Sequence, residues 1–211
     1  MIYDLSRSNE FREQRDNERM PNSTCGPTSA VNASFASGIY FEHPEGMQPE
    51  DYIISLLQSQ ASYKVFNRIF PHANFNPWNT SYMIKWAINK AVGKNVCEVR
   101  DVSIAETVWH MIKEQGALVH GGGFTSYGHM VAVVGFDSDQ PDILSVSGPS
   151  GIDMDALNAL ILDDPWGDYM SGYRDHNGDS VSIPIRTFER VVYRGRSKHI
   201  AQLYYPSRLE D

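Results

Sequence analysis

The hydrophobic period of this 211-residue chain changes at Gly116, and that change limits the folds the chain can adopt. Before Gly116 the apolar residues recur at the three-to-four spacing of amphipathic helices. After it they form short apolar runs separated by Gly, Asp, Asn and Pro, which is typical of strands and turns. Helices followed by strands predict an α+β domain in which a helical lobe packs against a mostly antiparallel sheet, rather than an alternating βαβ fold.

The elements are predicted from caps and periodicity. The first helix opens at Gly26 or Pro27 after a Ser23 or Thr24 cap. The other helices are one long or two short helices over Gln48 to Ile69, one from Asn79 to about Val92, and one that follows the Ser103–Glu106 capping box and stops at Gly116. The predicted strands are ALVHG, HMVAVVGFD, ALILD, SVSIPI and HIAQLYYP.

Length and composition predict a single domain over residues 1–211, because no linker or repeat divides the chain. Residues 42–79 are interpreted as a helical insert. The formal net charge is −8 and no basic run is present, so nucleic acid is not expected as a partner.

The N-terminal stretch MIYDLSRSNEFREQRDNERM lacks the apolar core of a secretory signal. The longest apolar stretches, such as Met130 to Phe136, are far shorter than the roughly 20 residues of a membrane-spanning helix. We therefore expect a soluble protein that is made in the cytoplasm without a signal peptide and has no membrane partner.

The chain contains two cysteines, Cys25 and Cys97, too few for a disulfide scaffold or a multi-cysteine zinc site. Cys97 lies in the strand-like NVCEV and is interpreted as a small buried side chain. Cys25 lies in TCGPTS at the start of a predicted helix, where unpaired N–H groups stabilise a thiolate. Cys25 is therefore the candidate nucleophile.

A thiolate nucleophile needs an imidazole partner and, behind it, an acceptor that orients the ring. Among the seven histidines His129 is favoured, because it follows Gly128 at the start of an apolar strand, and His120 is the rival. Asp163 and Asp164 end another apolar strand. Successive strand residues face opposite ways, so only one of the two can face His129.

These motifs together resemble a known family. TCGPTSAVNA is followed, 104 residues after its cysteine, by GHMVAVVGFD, and 35 residues later by LDDPWGDY. In this order and context they resemble the papain-like cysteine peptidases, specifically the bacteriocin-leader (double-glycine) peptidase-like branch. The resemblance runs from about Gln14 to Tyr205 and leaves out the insert.

The resemblance implies a papain-like fold and a role for each matching residue. Cys25 is the nucleophile, His129 stands at the family's GH position, and Asp164, immediately before Pro165, stands at its DP position. Gln14 is implied as the oxyanion-hole glutamine, acting together with the Cys25 backbone N–H. No cofactor is required.

The implied reaction is cleavage of a peptide-type amide through a thioester by a cysteine peptidase or amidase. The preferred substrate is a peptidoglycan stem peptide, as for a bacterial or phage endolysin released on lysis, and Tyr127 and Trp166 are expected to line the cleft. Two alternatives stay open. One is an acyltransferase or transglutaminase-like enzyme with the same triad, and the other is a catalytically silent peptide-binding relative. Oligomeric state is left open.

One acidic run suggests a metal as an alternative. Asp175, Asn177 and Asp179 alternate as at the start of a calcium loop, but Ser180 and Arg186 occupy positions where that loop needs glycine and glutamate. Asn177-Gly178 between two strand-like segments is also a strong hairpin signal. The hairpin is favoured over calcium binding.

Overall fold

The computed structural model describes residues 1–6, 10–59 and 81–210. It is an α+β fold in which N-terminal helices pack against a seven-stranded, antiparallel sheet. The helices are α1 (Cys25–Ala36), α2 (Pro49–Ser59), α3 (Ser81–Val92), α4 (Ile104–Glu114) and the short α5 (Ile185–Phe188), which continues into a π-helical turn, Glu189–Tyr193.

The sheet has the strand order β2-β7-β3-β4-β5-β6, and β1 pairs with β4 just beyond the start of β3. β4 is the central strand, since it pairs with β1, β3 and β5. The strands are β1 (Ile2–Asp4), β2 (Cys97–Val102), β3 (Leu118–Gly122), β4 (His129–Ser138), β5 (Leu157–Asp163), β6 (Val181–Pro184) and β7 (His199–Tyr204).

Both faces of the sheet are covered, and alternate residues of β4 feed two separate cores. Met130, Ala132 and Val134 join the core that contains α1, α2 and α3. Val131 and Val133 join the core on the opposite face, beneath α4, α5 and the turns after them. The continuous apolar run in this strand therefore reflects burial on both sides of the sheet.

Helix α1 is enclosed on every side, between the sheet and the pair α2 and α3. Its sequence, CGPTSAVNASFA, has small residues around the whole circumference, which lets neighbouring elements approach closely. The predicted cap is only partly right. The helix begins at Cys25 and Thr24 is its N-cap residue, but the Thr24 hydroxyl accepts a hydrogen bond from Asn17 Nδ2 (2.8 Å) instead of capping the helix.

The prediction for α4 is confirmed at its start. Ser103 Oγ accepts from the Glu106 N–H and Glu106 Oε2 accepts from the Ser103 N–H, so the capping box is closed. The helix ends one residue earlier than expected, at a left-handed Gln115. Gly116 is needed for another reason, because a Cβ there would lie 1.9 Å from the Tyr204 carbonyl oxygen.

Two strands come from the half of the chain predicted as helical. β1 extends one edge of β4, and β2 pairs along its whole length with β7, so the order of helices before strands is only partly right. Within the insert, α2 ends at Ser59. The rest of the helix predicted to Ile69 and the start of the one predicted from Asn79 lie outside the described residues. In the described ranges no helix is both long and apolar enough to cross a membrane.

Glu50 is a buried carboxyl group in α2, and its protonation links the stability of the helical core to pH. It is 1% exposed, and neither carboxylate oxygen has a hydrogen-bond partner within the described structure. Burial raises the pKa of Glu50 to about 7, above its ordinary 4.5. The folded state therefore holds the proton more tightly than the unfolded state does, and stability is lost as the pH rises between these two values.

We expect Glu50→Gln to raise the free energy of unfolding by about 1–3 kcal/mol at pH 8 and to change it little at pH 4. Urea unfolding at the two pH values measures the difference. Glu45→Gln removes an exposed carboxylate and should show no such dependence. A loss of stability at pH 8 in Glu50→Gln would contradict the prediction.

Candidate active site

Cys25 is the first residue of α1, and its position is set by the contact between that helix and β4. One turn further along the helix, Ser29 Oγ donates to the Met130 carbonyl oxygen at 2.8 Å. Met130 follows His129 directly, so this buried bond fixes the start of the helix relative to the start of the strand. The thiol and the imidazole are brought together as a result.

The His129 ring lies between Cys25 and Asp164. Nε2 is 2.6 Å from Asp164 Oδ1, which leaves Nδ1 as the ring nitrogen facing the Cys25 thiol. Burial on its own lowers the pKa of His129, but the hydrogen bonds to Asp164 and Cys25 outweigh it and raise the pKa well above its ordinary value. The imidazolium form is therefore favoured.

Asp164 is fully buried, and both of its carboxylate oxygens accept hydrogen bonds. Oδ1 also accepts from the Trp166 N–H at 2.9 Å, and Oδ2 accepts from the Tyr173 hydroxyl at 3.4 Å. These donors hold the carboxylate in one orientation toward His129.

The backbone of Asp164 is held by a close contact with Gly178. The Asp164 N–H donates to the Gly178 carbonyl oxygen at 2.8 Å. A Cβ on Gly178 would lie 1.8 Å from the Asp164 carbonyl oxygen, so only glycine fits here.

Asp163 lies on the other side of the chain, as strand alternation requires. Its carboxylate accepts from Ser6 Oγ (3.1 and 3.2 Å) and from the Ser180 N–H (3.1 Å). Burial raises the pKa of Asp163 to about 7, and the nearby Asp179 and Asp4 carboxylates act in the same direction. The structure therefore places Asp164, and not Asp163, against His129.

Gln14 lies in a 3-10 turn, Gln14–Asp16, and is 2% exposed. Its backbone N–H donates to the Pro165 carbonyl oxygen (3.0 Å), which attaches this turn to the residue after Asp164. One N–H of its side-chain amide donates to the Pro21 carbonyl oxygen at 2.7 Å, and Oε1 has no partner. The side-chain amide keeps a second N–H for a further acceptor.

The two expected cleft residues differ in exposure. Tyr127 is 98% exposed and lies in the turn that precedes His129. Trp166 is half-buried, and the Arg15 guanidinium stacks on its ring at 4.4 Å. The Arg15 side chain also forms an ion pair with Glu13, with Nε 3.8 Å from Oε1.

The ring of His129 is enclosed by two aromatic residues that sequence reasoning missed. Phe124 and Tyr173 pack edge-on against it, with ring centroids at 6.4 and 6.2 Å. Both come from loops, without periodicity or motif, and only an aromatic residue close to a motif could have signalled them. Ser29 and Arg15 were also missed, because their contacts with Met130 and Trp166 arise from tertiary structure alone.

His120 is enclosed elsewhere. Its Nε2 lies 3.3 Å from Thr107 Oγ1, and its ring packs against Phe188 and Tyr193. Burial lowers the pKa of His120 to about 3, so the ring stays neutral. These contacts do not include Cys25, and the structure does not support His120 as the base.

The predicted hairpin at Asn177-Gly178 is wrong. β5 ends at Asp163 and β6 begins at Val181, so no strand leads directly into these residues. Gly178 is required instead by the close approach of the Asp164 carbonyl oxygen.

The side chains of the calcium candidate take part in local turns. Asp175 Oδ1 accepts from the Asn177 N–H, and Asn177 Oδ1 accepts from the Asp179 N–H. In the part of the chain that the structure describes, no three His, Cys, Asp or Glu residues are grouped to hold a metal ion.

Comparison of the sequence with protein-family models and with curated proteins finds no match to either. What this site can do therefore follows from its own geometry: a thiol at a helix N-terminus, an imidazole hydrogen-bonded to it, and a buried carboxylate behind the imidazole.

The two cysteines test this geometry. Burial raises the pKa of Cys97 to about 12, which keeps that thiol protonated and unreactive. We expect iodoacetamide at pH 7 to modify Cys25 and leave Cys97 unmodified, as measured by peptide mass mapping of the folded protein.

His129→Gln should slow the modification of Cys25 at least tenfold, because the thiolate loses its imidazolium partner. Denatured protein, in which both thiols react, is the control for detection. Equal labelling of the two cysteines in the folded protein would contradict the arrangement described here.

Proposed function

We propose that this chain is a cysteine hydrolase with a papain-like fold, which cleaves a peptide-type amide through a thioester. The observation that carries the proposal is the buried His129 ring, bound on one side to Asp164 and on the other to Cys25 at the start of α1. The resemblance of the TCGP, GH and DP motifs to papain-like cysteine peptidases supports the same assignment.

In the first half of the reaction the Cys25 thiolate attacks the amide carbonyl carbon. The carbonyl oxygen becomes an oxyanion, which the Cys25 backbone N–H and the Gln14 side-chain amide would stabilise. The protonated His129 then gives its proton to the departing amine as the C–N bond breaks, which leaves a thioester on Cys25.

In the second half, neutral His129 removes a proton from water, which attacks the thioester. Collapse of this second oxyanion releases the carboxylic acid and returns the thiolate beside the imidazolium. Asp164 stays ionised throughout, since its task is to hold the ring and to stabilise its positive charge. Apart from the substrate and this water, the groups named in the cycle belong to the chain itself.

The substrate class proposed is the stem peptide of peptidoglycan. Its free carboxylates suit a cleft beside Trp166, whose ring carries the Arg15 guanidinium and whose backbone N–H donates to Asp164. The exposed Tyr127 ring, in the turn before His129, offers an apolar surface to the same substrate.

The matched pair Asp164→Asn and Asp163→Asn tests the role of the orienting carboxylate. Loss of the Asp164 charge should lower the pKa of His129, so the alkaline limit of the pH profile of peptidoglycan hydrolysis, which needs His129 as proton donor, should move down by at least one pH unit. Asp163→Asn makes the same substitution one residue away and should leave that limit in place. Equal shifts in the two variants would overturn the assignment of Asp164.

The reaction is tested by mass spectrometry of soluble products from purified peptidoglycan. We expect wild-type protein and Cys97→Ala to release stem-peptide fragments and Cys25→Ala to release none. Thermal unfolding of Cys25→Ala checks that its fold is intact. Fragments from Cys25→Ala would overturn the proposed nucleophile.

Adding a small amine separates hydrolysis from acyl transfer. A hydrolase gives the free acid as its main product, whereas an acyltransferase gives an amide conjugate of the amine. Conjugate in place of acid would replace the proposed hydrolase with a transferase that uses the same residues.

A further inference from the structure

A cavity lies away from the candidate active site. It has a volume of about 670 Å³ and is formed by the start of α4, by Met154, and by the segment from Arg186 to Ser197. This volume lies within the range of small-molecule sites. None of its lining residues is Cys25, His129, Asp164, Gln14 or Trp166.

The charges around this cavity are mainly positive. Arg186, Arg190 and Arg196 line it, and among the lining residues that the structure describes only Glu189 is acidic. All three arginines are exposed, and none of their guanidinium groups forms an ion pair or a hydrogen bond with any residue that the structure describes. Their placement stands out in a chain whose net charge is −8.

The start of helix α4, which forms another part of the wall, also contributes a positive electrostatic potential. Ile104 and Ala105 open the eleven-residue helix α4, whose first turn presents backbone N–H groups at the positive end of the helix dipole. The capping box occupies the N–H groups of Ser103 and Glu106. The backbone N–H groups of Ile104 and Ala105 have no hydrogen-bond partner among the described residues. The nearby Glu106 carboxylate is itself paired with Lys198 at 2.7 Å.

Guanidinium groups bind phosphate and carboxylate oxygens through paired N–H donors, and three of them at one cavity favour a ligand with several negative charges. We propose that this cavity binds a compact small-molecule polyanion through Arg186, Arg190 and Arg196. The charge of such a ligand lies on phosphate or carboxylate oxygens. This site is separate from the proposed hydrolase site and does not depend on it.

Isothermal titration calorimetry of the full chain tests the site, with inorganic pyrophosphate and citrate as separate probes. Sodium chloride at matched ionic strength is the control for screening. We expect saturable binding of at least one probe at one site per chain. The probe that binds more tightly then identifies the ligand as phosphate-bearing or polycarboxylate.

The double variant Arg190→Ala/Arg196→Ala should weaken that binding at least tenfold. Arg19→Ala removes an exposed arginine that does not line the cavity, and should leave the affinity unchanged. Thermal unfolding confirms that the variants are folded. Absence of binding by both probes, or equal affinity in the double variant and Arg19→Ala, would overturn the proposal.

Discussion

The complete burial of α1 is the constraint on which the rest of the structure depends. A helix with no exposed residue must be covered on all sides, and here the sheet covers one side while α2 and α3 cover the other. Small residues around its circumference make this close packing possible. Because the helix cannot shift without opening that core, Cys25 at its start has a fixed position relative to β4. A hydroxyl-to-carbonyl bond between Ser29 and Met130 adds a directional restraint.

Burial and hydrogen bonding have opposite effects on the pKa of His129, and the effect of hydrogen bonding is the larger. Burial alone would leave His129 neutral, yet the bonds to Asp164 and Cys25 favour its charged form. Asp164 can act in this way because its oxygens are themselves satisfied, by the Trp166 N–H and the Tyr173 hydroxyl as well as by the imidazole. Asp163 shows the opposite outcome, since neighbouring carboxylates and burial both favour its protonated form.

Much of this arrangement could be predicted from the sequence, because it rests on local signals. The capping box of α4 and the apolar runs of β4 and β5 are such signals, and so is the alternation that separates Asp163 from Asp164. β1 was harder to recognise because it has only three residues, and β2 gave a strand signal only in NVCEV around Cys97. Both carry charged residues and take their place in the sheet only through distant partners. The same holds for Tyr173 and Phe124, whose contacts with His129 arise from tertiary structure alone.

Because Asp163 and Asp164 are adjacent, the candidate site depends on the exact number of residues near the end of β5. Both carboxylates are buried, and they lie in different surroundings only because consecutive residues face opposite ways. Inserting or deleting one residue near the end of β5 would exchange them, so that the histidine would face the wrong backbone position while the composition of the segment stayed the same. Evolution can therefore vary many side chains around this connection more readily than it can vary the number of residues that lead into it.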